Sequence, residues 1–216
     1  MGTIKQGILG GFNGKVGTVI GSSWKGITYM KGIPTHTRNP RTEKQIAQRT
    51  KMEFARNYLS QAQEFLNVGF KDVAKHQSPL NYAASQMMRT GISGDYPDYS
   101  PIYSQLKWSH GLLTPPVVET VYANYNGIDF LWQDNSGSGN AKADDISMVV
   151  VCNAEKKELK YFMNGYTRSE TTTHCEFPNE WVGDHIHVYV TMRSADGKLI
   201  SNSLPLLWRV FTRITD

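Results

Sequence analysis

Two hydrophobic periods divide the chain. From Thr42 to about Gly91 apolar residues recur at helical spacing, and from Val117 onward they alternate with a period of two. In the first part Ile46, Ala47, Phe54, Tyr58, Ala62 and Phe65 define one broad apolar face, widened by Ala55, Leu59 and Leu66. Arg49, Glu53, Arg56, Ser60 and Gln63 fall opposite it. Thr42 followed by Gln45 makes a capping box, and Gly69 is a natural C-terminal stop, so the spacing predicts one helix from Thr42 to the Asn67–Gly69 region. A second helix begins at Ser78-Pro79, an N-cap with proline at the first helical position. It packs through Leu80, Ala83, Ala84, Met87 and Met88 and stops at Gly91.

In the second part Ile128, Phe130 and Trp132 alternate, as do Met148, Val150 and Cys152, then Leu159, Tyr161 and Met163, then Ile186, Val188, Val190 and Met192. Turn clusters at Asp134–Gly137, Asn164-Gly165 and Asp196-Gly197 separate them, which gives about seven short strands and predicts an immunoglobulin-like sandwich. Ahead of the helices, Val16–Ile20 and Ile27–Ile33 read as a glycine-rich β-hairpin turned at Trp24-Lys25-Gly26. A hairpin alone is marginally stable, so it must pack on a helix or a second chain. Thr35 to Arg41 is a loop, because Pro40 keeps Asn39 out of the helical region. The expected fold class is therefore an α+β N-terminal region, a glycine-rich hairpin plus two helices, followed by an all-β immunoglobulin-like sandwich. The diproline after Thr114 places the boundary, giving a docking domain over 1–114 and a sandwich over 115–216.

Composition changes this picture in one respect. The chain of 216 residues carries a net charge of +4, but residues 1–80 hold twelve Lys or Arg against four Asp or Glu, and the remainder eleven against fifteen. A basic half followed by an acidic half points to a polyanion contact or to head-to-tail pairing of copies. No run is apolar enough to cross a bilayer and the start lacks a secretory leader, so the expected location is the cytoplasm or a virion, with no membrane partner. Cys152 and Cys175 lie too far apart for a metal or redox motif and read as reduced, buried residues.

Catalytic motifs do not emerge. The phosphate-loop pattern fails at Leu9, where its first glycine belongs, and at Val16, where Ser or Thr should follow Lys15. Residues 134–145 resemble a calcium loop from Asp134 to Asp145, but strands flank them and the twelfth residue is not Glu; a polar loop between strands explains them better. His185 and His187 share a strand face without a third ligand, and an exposed sandwich face accounts for both. No nucleophile elbow or catalytic cysteine motif is present, so no enzyme and no cofactor is expected. The strongest candidate is the basic set Lys31, Arg38, Arg41, Lys44, Arg49, Lys51 and Arg56, diluted by Glu43 and Glu53. With Lys15, Trp24 and Lys25 on the hairpin, these residues form the expected partner-binding surface. The partner is another protein subunit or, alternatively, nucleic acid on the Arg38–Arg56 side.

The elements Gly14–Val19, Asn39–Arg49, Trp132–Gly137 and His187–Tyr189 resemble the G-K-V-G-x-V, N-P-x-T-x-x-Q-x-x-x-R, W-x-D-N-S-G and H-V-Y motifs of a family of uncharacterised Bacteroidetes and phage-associated proteins classed as a domain of unknown function. That resemblance implies a phage or prophage structural component, with no established activity; a homo- or hetero-oligomer is expected from the hairpin that cannot stand alone and from the split charge. The segments IDFLWQD, ISMVVVCN and HIHVYVTMRSADGKLISNS are similar to fibronectin type III modules, a likeness of fold that carries no function. A carbohydrate-binding role for the sandwich rests on the same analogy.

Overall fold

The computed structural model describes residues 2–4, 7, 10–34, 41–123 and 127–210. The chain divides into two units, residues 1–45 and residues 46–216. In the first, β1 (Thr3–Ile4), β2 (Phe12–Val16), β3 (Val19–Trp24) and β4 (Ile27–Gly32) form an antiparallel meander in that order. A hairpin was expected here, with Val16–Ile20 as one strand. The backbone instead turns at Gly17, whose φ of +57° only glycine adopts readily, and Val16 pairs with Val19. Lys25 and Gly26 make the next turn with φ of +47° and +83°, the two positive values that match the twist of flanking strands. Gly21 is the one buried residue among those described in this unit; a Cβ there would lie 2.1 Å from the carbonyl oxygen of Phe12.

The second unit has three layers. Helices α1 (Glu43–Ser60, entering from the first unit), α2 (Gln63–Gly69) and α3 (Pro79–Thr90) cover one face of a four-stranded sheet. The short strands β5 (Ile92–Ser93) and β6 (Ser100–Pro101) pair with each other, and the remaining strands form the sandwich. These are β7 (Val117–Ala123), β8 (Gly127–Gln133), β9 (Ile146–Asn153), β10 (Glu158–Phe162), β11 (Thr172–Glu176), β12 (His185–Arg193) and β13 (Leu204–Val210). The four-stranded sheet runs β10-β9-β12-β13 and the three-stranded sheet β11-β8-β7, with every pair antiparallel.

Between the sheets lie Ile128, Phe130, Trp132, Val149, Val151, Ile186, Val188, Val190 and Met192, with Cys175 and Trp181. The other core joins Tyr58, Leu59, Phe65, Leu66, Met87 and Trp108 to Met148, Val150, Cys152, Leu159 and Tyr189 on the far face of the same sheet. Strand β9 is thus covered on both sides. The alternating set Met148, Val150 and Cys152 faces the helices.

The boundary expected after Thr114 is not where the units divide, and two physical reasons account for this. The apolar faces of α1 and α3 are completed by the sheet beyond residue 115, so the helices and the sandwich share a core. The carbonyl of Thr114 also accepts a bond from Arg168, which pins the diproline segment to the sandwich. The two thiols lie in different cores, both buried and free, and burial pushes the Cys152 thiol up to about 12.

The first helix follows its predicted face, with Ala55, Tyr58, Leu59, Ala62, Phe65 and Leu66 buried, but it breaks after Ser60. The break serves the edge of the sheet. Gln61 Oε1 accepts from the backbone N–H of Leu159 at 3.1 Å, and its Nε2 donates to the Lys157 carbonyl at 3.2 Å. A side-chain amide so satisfies the outer edge of β10 where another strand would otherwise add. Gly69 ends α2 for a reason other than a left-handed stop: a Cβ there would sit 2.3 Å from the Trp108 carbonyl oxygen. Helix α3 starts as expected, with Ser78 Oγ accepting from the Asn81 N–H.

Candidate functional site

On the N-terminal meander, register decides which side chains share a face. Lys15 opposes Ile20, Ile20 opposes Lys31, and Trp24 opposes Ile27, so Lys15, Lys31, Trp24, Ile27 and Tyr29 belong to one face. Lys25 occupies the turn beside them. Strand β4 is an edge, paired with β3 on one side, and all six of its residues are exposed. Trp24 is 55% exposed, Ile27 65% and Met30, on the opposite face, 72%. Arg38 lies outside the described residues. Arg41 and Lys44 are exposed at the start of α1, and Arg49 and Arg56 are exposed two turns apart on its solvent side. The predicted set therefore falls into two groups: a hairpin group gathered on one sheet face, and an α1 group spread along a helix.

The recognisable motifs of the sandwich do something else. Trp132 to Gly137 wraps Arg168, a guanidinium with no solvent exposure. Its Nε and Nη2 reach Asp145 Oδ2 at 3.1 and 3.0 Å, Nη1 donates to Asn135 Oδ1 at 2.5 Å, and Nη2 donates to the Thr114 carbonyl at 2.8 Å. Trp132 Nε1 in turn donates to the Arg168 carbonyl at 2.9 Å. Asp145 Oδ2 also accepts from the Lys142 N–H. The loop that resembles a calcium site is thus organised around an internal cation, with its twelfth residue already engaged. Sequence reasoning passed over Arg168, since a lone arginine in a polar loop carries no pattern.

The His187–Tyr189 motif belongs to the seam between the helices and the sheet. The His187 ring stacks on Tyr103 at 4.1 Å and 6°, and Tyr189 Oη donates to the Tyr103 carbonyl. His185 is displaced from it by a bulge and pairs with Glu155 at 2.5 Å. The face expected to be open is covered at His187, and the two imidazoles serve different partners. Among the described residues no group of three or more His, Cys, Asp or Glu is arranged to hold a metal.

Burial, followed by the charge of His185, holds the His187 imidazole below its ordinary value, while Glu155 opposes the shift. The unfolded chain takes up this proton at about pH 6.5 and the folded chain does so only lower, so the unfolded state binds more protons in between. The stabilising effect of a neutral His187 is complete above that value and declines as pH falls below it. Urea midpoints measured at pH 5.5 and 7.5 should differ less in H187F, which keeps the stack and removes the titration. An unchanged difference would assign the pH dependence to other groups.

No curated protein and no solved structure matches the chain. Residues 11–206 match the model of a family of unknown function, DUF6266, spanning most of β2 to β13. By that match the chain belongs to the DUF6266 family.

Proposed function

We propose that the protein is a non-enzymatic assembly subunit, a component of a phage or prophage particle, that docks on other subunits through its N-terminal sheet. The observation that carries this reading is β4: a six-residue strand at the edge of the described sheet, exposed on both faces, in a meander with a single buried residue, Gly21, among those described. An edge of this kind offers unpaired backbone groups to a strand from another chain, and Trp24, Ile27 and Met30 supply apolar area for the contact. Lys15, Lys25 and Lys31 give that surface a basic character suited to an acidic neighbour.

The sandwich completes the reading as a fibronectin-like module. Taking its strands in sequence as A to G, the sheets are A-B-E and D-C-F-G, which departs from the constant-type immunoglobulin order only in that the fourth strand pairs with the third. The second reading, nucleic-acid contact along α1, draws on the exposed Arg49 and Arg56 and requires an affinity that falls steeply with salt.

Sedimentation velocity on the full chain tests the first reading. Wild type should associate with rising concentration, and I27K together with M30K should abolish association without changing the far-ultraviolet spectrum. A strictly monomeric wild type at the highest concentration reached would sink the strand-addition model.

A further inference from the structure

Helix α3 packs chiefly on α2, and residues of α1 and α3 line a groove between them. It comprises two adjoining hollows of about 550 and 540 Å³ that share Arg49 and Met52. The floor is apolar, made by Met52, 38% exposed, and by the partly buried Leu80 and Met88. The rim is cationic: Arg49, Lys51, Arg56 and Arg89 line it, against Glu53 as the one carboxylate among the described lining residues.

Three features narrow the occupant. A groove running between two helices, with a methionine floor, suits the apolar ridge of a third helix, because unbranched thioether side chains adapt to the shape laid on them. Four cations against one anion require a partner whose flanks carry carboxylates. A single-stranded nucleic acid would call for stacking platforms, and none of the described lining residues is aromatic. We propose that the α1–α3 groove receives an acidic amphipathic helix of another protein, with its apolar residues on Met52, Leu80 and Met88 and its Glu or Asp side chains on Arg49, Lys51, Arg56 and Arg89. The proposal is independent of strand addition at β4, which uses none of these residues.

Fluorescence anisotropy on the full chain tests it with labelled peptides of roughly five helical turns. The probe has Leu at i, i+3, i+4 and i+7 between Glu residues; a scrambled peptide of the same composition and an oligo-dT of similar length serve as competing ligands. The acidic amphipathic peptide should bind about tenfold more tightly than the scrambled one. R49E with R89E should weaken it by about tenfold or more, and M52A with M88A by several-fold, while I27K leaves it unchanged. Ile27, Arg49, Met52 and Arg89 are exposed, and an unaltered melting curve confirms that those variants are folded; Met88 is partly buried against the helix core, so M52A/M88A should melt lower, and a cooperative transition well above the assay temperature confirms its fold. Absence of binding, equal binding of the scrambled peptide, or equal affinity in the M52A/M88A variant overturns the proposal. Tighter binding of oligo-dT that is lost in R49E/R89E overturns it in favour of a nucleic-acid surface.

Discussion

Replacing Arg168 with methionine should lower the unfolding free energy by about 3–5 kcal/mol, the range for removing one partner of a buried ion pair. The loss has little to do with the attraction between Arg168 and Asp145, most of which is offset by the desolvation of both groups. It comes from what is left behind: Asp145 stays without solvent exposure, while Asn135 Oδ1 and the Thr114 carbonyl lose their donor. Urea denaturation measures it. Methionine at 168 combined with leucine at 145 should recover a large part of the loss, because no charge then remains buried. A single variant within about 0.5 kcal/mol of wild type would show that the loop stands without its cation.

The second large effect concerns the sandwich taken alone. A fragment of residues 115–216 should fail to give a soluble, well-packed monomer, although it contains all seven sandwich strands. Removing the helices would expose Met148, Val150, Cys152, Leu159 and Tyr189 together on one sheet face. Each large side chain there forfeits about 1.5–3 kcal/mol of burial, against a typical domain stability of about 5–15 kcal/mol. Dye binding, aggregation on gel filtration and a weak near-ultraviolet spectrum are the expected readouts. A fragment of residues 46–216 keeps both cores and should retain a sharp unfolding transition. A cooperative, monomeric 115–216 fragment would mean that the helices decorate the sandwich and do not complete it.

Local signals were legible where the partner was near in sequence or where the period was long. The apolar face from Ala55 to Leu66, the Ser78-Pro79 helix start and the sandwich strands all follow from spacing and caps. The break after Ser60 was hidden because its cause, the β10 edge at Lys157 and Leu159, lies almost a hundred residues away. A diproline marks a bend equally well whether it is free or held by Arg168, so the core that the helices share with the sandwich left no sign at Thr114. In the candidate site, Lys15, Lys25, Lys31, Arg41, Lys44, Arg49 and Arg56 are exposed, as a solvated charged face would have them, whereas Lys51 is half-buried. Met52 and Arg89 were not foreseen as groove residues, and Leu80 and Met88 were assigned wholly to the packing face of α3. Which side of a helix remains uncovered depends on how its neighbours diverge, and no periodicity within one helix encodes that.

Strand β9 carries a consequence for pairing. A strand with one wet face cannot slip by a residue, because its apolar side chains would move into water. With apolar positions from Met148 to Cys152 and both faces covered, β9 loses that safeguard: a one-residue slip would merely exchange the two cores. Hydrogen bonds at its two ends supply the stops. Asn153 donates to Asp184 Oδ2 at 2.6 Å and accepts from the Lys156 N–H at 2.9 Å. At the other end the backbone of Ser147 bonds to Tyr166 and Gly165, each at 3.0 Å. The side chain that fixes the alignment of β9 is thus Asn153, while at Ser147 the backbone alone makes the bonds.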